Sequence, residues 1–72
     1  MILAYHGTTP ENAASIRKEG FRKGTYFAYK RDDAAQFGEV ILKVQLDPNG
    51  FEGPPDFQFW LRDPLPSSVI VE

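Results

Sequence analysis

Tyr5-His6-Gly7-Thr8 and, eighteen residues beyond Thr8, Tyr26-Phe27-Ala28 carry the side chains of this chain best placed to do chemistry. The first stretch sets a polar triplet at the end of one expected strand. The second sets an aromatic pair on another. Together they suit a crevice for a flat, polar ligand. No thiolate chemistry competes with this reading, because the chain has no cysteine. A single histidine among scattered carboxylates has no metal-ligand spacing, so no metal is expected. Neither G-x-G-x-x-G nor the P-loop pattern occurs.

Several elements must hold these groups. Ile2 to His6 reads as a strand with Leu3 and Tyr5 on one face and Ile2, Ala4 and His6 on the other. Thr9-Pro10-Glu11 is a helix start, with a capping hydroxyl, a proline tolerated in the first turn and an acid at the positive end of the dipole. The helix is predicted over 10–19 and stopped by Gly20 in a left-handed conformation, with Phe21 folding back on Ile16. After Gly24, Thr25 to Tyr29 forms a second strand. Asp32 to Phe37 forms a brief helix closed by Gly38.

Val40 to Leu46 is the clearest strand, with Val40, Leu42, Val44 and Leu46 buried. Asp47-Pro48-Asn49-Gly50 is a turn, and Glu52 to Asp56 is a loop kept out of any ladder by its prolines. Phe57 to Leu61 alternates again, putting Gln58 and Trp60 on one face. Val69 to Val71 closes the chain as a short strand. The expected class is α+β, with small mixed or antiparallel sheets and two short helices.

Seventy-two residues make one domain, near the lower limit for a core held by packing alone. The aromatic share of 14% supplies that core with large side chains, so a folded domain is expected rather than disorder. No basic leader with a long apolar run, and no membrane-length apolar stretch, is apparent. The expected setting is the cytoplasm, without a membrane. A net charge of −2 argues against broad attraction to nucleic acid, yet six of the eight basic residues fall between Arg17 and Arg31. That run is a solvated helix face and turn in the plain reading, or a surface for phosphates.

In this order, Tyr-His-Gly-Thr before a helix, Gly-x-Tyr-Phe-Ala, and a small-residue helix ending in an aromatic resemble the histidine-tyrosine-glutamate class of ADP-ribosyltransferases. That group includes the poly(ADP-ribose) polymerases and diphtheria toxin. The resemblance runs from Leu3 to about Val71, although a typical domain of the family is about twice as long. It implies a minimal ADP-ribosyltransferase-like fold that binds NAD as substrate. His6 would contact the adenosine ribose, Gly7 the nicotinamide amide, and Thr8 would assist nearby. Tyr26 and Phe37 would sandwich the nicotinamide. Gln58-Phe59-Trp60-Leu61 fits the third motif with glutamine in place of the family's glutamate, so the implied catalytic set is His6, Tyr26 and Gln58.

Loss of nicotinamide builds positive charge on the ribose, and a carboxylate would offset that charge. Glutamine keeps the hydrogen bond to a ribose hydroxyl without the charge and cannot act as a general base. The implied activity is therefore transfer of ADP-ribose to a protein or nucleic-acid acceptor, or hydrolysis of NAD, at a reduced rate. The competing readings are a non-catalytic module for NAD, ADP-ribose or a nucleotide end, and an interaction protein with a closed pocket. A relative of the RNA 2′-phosphotransferases is a further alternative, although the arginines of that chemistry do not map clearly onto this chain. So small a chain could also dimerise to cover sheet surface.

Overall fold

The computed structural model describes residues 2–47, 51–52, 58–61 and 63–71, and only the backbone of residues 51, 52, 58 and 59. Alternation in the Val40–Leu46 segment produces a strand, β3, whose Leu42, Val44 and Leu46 are buried and whose Gln45 faces solvent. Its antiparallel partner is β1 (Ile2–Thr8), in register from Ile2↔Leu46 to Thr8↔Val40. β1 thus continues two residues past His6, because Gly7 and Thr8 still find partners on β3.

Helix α1 (Pro10–Glu19) follows with the predicted bounds. The Thr9 hydroxyl accepts a hydrogen bond from the Asn12 amide at 3.2 Å, satisfying one orphan donor of the first turn. Gly20 ends the helix with φ +88° and ψ −172°. This is a positive-φ glycine conformation, but extended in ψ rather than the left-handed helical one expected. The reason is its neighbour. Phe21 turns directly into a bridge with Leu65, its N–H donating to the Leu65 carbonyl at 2.7 Å and its own carbonyl accepting at 3.0 Å.

β2 (Tyr26–Ala28) is shorter than expected, since Tyr29 already leaves the strand for α2 (Arg31–Ala34). α2 runs on as a 3-10 turn over Ala35–Phe37. β4 (Phe51–Glu52) and β5 (Gln58–Leu61) complete one antiparallel sheet of order β3-β1-β2-β5-β4. Glu52 therefore stands in a strand, paired with Trp60, and not in the expected loop. The expected turn at 48–50 and the remainder of that loop, with Phe57, lie outside the described residues.

The expected final strand over 69–71 does not form. Ser67–Val69 closes a 3-10 turn after Pro66, with the Ile70 N–H donating to the Ser67 carbonyl at 3.0 Å. What remains is a single bridge, Val44↔Ile70, and a hydrogen bond from the Val71 N–H to the Lys43 carbonyl. These cover part of the outer edge of β3.

α1 and the C-terminal turn pack on one face of the sheet. The core there gathers Ala4, Ala13, Phe21, Phe27, Leu42, Val44, Leu46 and Leu61, with Ile16, Leu65 and Ile70 packed around it. Phe21 and Phe27 meet edge to face at 5.1 Å, and each contributes on the order of 2–3 kcal/mol through burial. The architecture is a small α+β fold. No helix among the described residues is long and apolar enough to cross a membrane.

Candidate functional site

The site begins where two strands part. β1 and β2 share one register pair, Tyr5↔Ala28, although β1 runs on to Thr8 and β2 begins at Tyr26. In place of further ladder, the His6 Nδ1–H donates to the Tyr26 carbonyl at 2.8 Å. A carbonyl oxygen only accepts, so this bond puts the proton on Nδ1 and leaves Nε2 as a lone-pair acceptor. Burial holds the imidazole below its ordinary pKa of 6.5, and the hydrogen bond to the Tyr26 carbonyl works in the other direction without cancelling it. His6 is thus neutral at pH 7.

Alternation gives the imidazole to the core face, where it lies 5.7 Å from the rings of both Phe21 and Phe27. Phe27 points into the core at 1% exposure, so Tyr26 belongs to the opposite face, and its ring meets that of Trp60 at 5.9 Å. The two side chains approach from opposite faces of the sheet. They nonetheless border one cavity of about 300 Å³, together with Gly7, Thr25, Ala34 and Phe37. That volume is at the lower end for small-molecule sites. Tyr26 and Phe37 remain 52% and 54% exposed.

The α2 segment places Phe37. A Cβ on Gly7 would collide with the Ala34 carbonyl oxygen, and one on Gly38 with the Thr8 carbonyl oxygen. The segment therefore rests on the bare backbone of β1. At its start the Arg31 guanidinium lies 5.2 Å from the centre of the Tyr5 ring, a cation–π contact. The sequence pointed to Tyr26 and Phe37 as a pair, but not to the contacts that set their spacing.

A second, more polar groove of about 580 Å³ adjoins the first and shares His6 and Thr25 with it. One wall is α1, through Asn12, Ser15 and Glu19, which recur at helical spacing. Arg22 and Lys23 stand on the far side of Gly20. Thr8 also lines this groove and is 6% exposed. This groove was not anticipated, although the spacing of Asn12, Ser15 and Glu19 was readable.

His6, Gly7, Tyr26 and Phe37 come together at the first cavity, and Thr8 opens on the second. Gln58 is opposite Ala28, two positions from Trp60 on β5, and its side chain lies outside the described residues. No carboxylate among the described residues borders the first cavity. No protein-family model matches the chain, and no curated protein matches it, so the functional reading rests on these residues.

Proposed function

We propose that this protein binds NAD in the manner of an ADP-ribosyltransferase, with the nicotinamide between Tyr26 and Phe37 and the ADP half along the polar groove. The observation that carries the reading is the pair of half-exposed rings on one cavity of about 300 Å³ floored by Gly7. His6 stands at the junction of the two cavities. Its Nε2 lone pair accepts a hydrogen bond from a ribose hydroxyl, and a neutral imidazole does so without a charge to desolvate. Arg22 and Lys23 complement a diphosphate, and the Thr8 hydroxyl on the same groove can donate to it.

In the reaction, the bond between the ribose C1′ and the nicotinamide nitrogen breaks. Its electron pair stays on the nitrogen, and nicotinamide leaves neutral. The ribose carries the positive charge until a hydroxyl or water adds and loses its proton. With glutamine at position 58 and no carboxylate among the described residues at the cavity, that charge has weak support. NAD binding is therefore strong relative to turnover. The alternative is a binding module without turnover, which the same glutamine favours.

Calorimetric titration with NAD, followed by mass spectrometry for released nicotinamide, tests both. Binding is expected at millimolar NAD or below, and Tyr26→Ala weakens it by about 5- to 150-fold, the value of one lost stacking contact of about 1–3 kcal/mol. Release should be slow in the natural chain and faster in Gln58→Glu. No heat at millimolar NAD would remove the proposal. Binding with no release in either protein would leave the module.

A further inference from the structure

The polar groove holds one group whose role the binding of NAD does not by itself require. Glu19 lines the groove with His6, and its carboxylate accepts a hydrogen bond from the Ser15 hydroxyl at 3.1 Å. The second oxygen remains an acceptor. The Glu19 carboxylate lines the groove with His6, whose Nε2 keeps its lone pair, and with Asn12, Thr8 and the two cations Arg22 and Lys23. Free sugar hydroxyls satisfy acceptors of this kind. A phosphate monoester does not, since at neutral pH it carries between one and two negative charges and few protons to donate.

We propose that Glu19 makes the groove selective for a dinucleotide with free adenosine-ribose hydroxyls, NAD, over one carrying a 2′-phosphate, NADP. This rests on the placement of NAD given above and names the residue that chooses between the two dinucleotides. The charge balance supports it. Two cations match the two charges of a diphosphate, and Glu19 opposes any further anion brought into the same groove. A carboxylate that accepts from a ribose hydroxyl is also the general chemical solution to this discrimination in dinucleotide sites.

The probe is the fluorescence of Trp60, the single tryptophan, whose ring lies 5.9 Å from that of Tyr26 and senses a ligand stacked there. NAD, NADP and nicotinamide mononucleotide are titrated at fixed ionic strength into the natural protein and Glu19→Gln. Glutamine keeps an oxygen for Ser15 and removes the charge. The natural protein should bind NAD at least about tenfold more tightly than NADP, as expected for one like charge at partly solvated range. Glu19→Gln should close most of that gap by strengthening NADP, with nicotinamide mononucleotide unchanged as a check on the fold and the stacking cavity.

Equal affinity of the natural protein for the two dinucleotides, or the same ratio in Glu19→Gln, overturns the role of Glu19. If nicotinamide mononucleotide binds under those outcomes, the stacking cavity stands and only this inference falls. If none of the three ligands binds, both fall.

Discussion

His6 is at once a core side chain and a lining side chain of both cavities. Its ring packs on Phe21 and Phe27, its Nδ1–H holds the Tyr26 carbonyl, and both cavities reach it. The imidazole is thus packed in the core and borders both cavities. Its titration gives a test. Burial lowers the folded-state pKa below 6.5, so in the window between the two values the unfolded chain binds a proton that the folded chain refuses. Stability from the neutral ring is present above pH 6.5 and is lost as pH falls through the lowered value. Denaturant unfolding across that window should show the natural protein losing stability relative to His6→Asn, which does not titrate. Parallel pH profiles for the two proteins would show that the imidazole is not desolvated.

At the scale of elements, α2 and its 3-10 turn decide whether the aromatic pair can accept a ring, and glycine decides how closely they approach β1. A Cβ at position 7 meets backbone of Ala34, which cannot swing aside as a side-chain tip would. At Gly24 the φ is +86° but nothing lies within 4 Å of an added Cβ. Thermal unfolding should separate the two. Gly24→Ala costs about 1–2 kcal/mol for the backbone conformation alone. Gly7→Ala costs on the order of 1–3 kcal/mol or more for the forced contact, and it also loosens NAD by moving Phe37. A Gly7→Ala protein as stable as the natural one would mean that α2 does not rest on β1.

Much of this level was legible. The capping threonine and Pro10 defined α1, and strict alternation defined β3, because both signals are local. Less legible were features decided by distant partners. Glu52 joins the sheet because β5 offers its edge, and the tail forms a 3-10 turn instead of a strand because Ser67 captures the Ile70 N–H. For the site, the sequence named the side chains. It could not show that His6 and Tyr26 belong to opposite faces, since that meeting depends on β1 and β2 separating after one register pair.

Across the molecule, core and site share one wall. Phe21 fills the centre of the core at 2% exposure, touches the His6 ring and lines the polar groove. So small a chain has no spare layer to insulate its site from its packing. The charge is arranged to match. The net value is −2, yet Arg22 and Lys23 stand at the groove and Lys30 and Arg31 at the start of α2, giving an acidic protein a locally basic surface. We propose the opening between β1 and β2 as a nicotinamide site. A crystal structure of the protein grown with saturating NAD tests it most directly. The nicotinamide ring is expected between Tyr26 and Phe37, with a ribose hydroxyl on His6 Nε2. NAD bound elsewhere with that opening empty, or its two rings closed on each other, would contradict it.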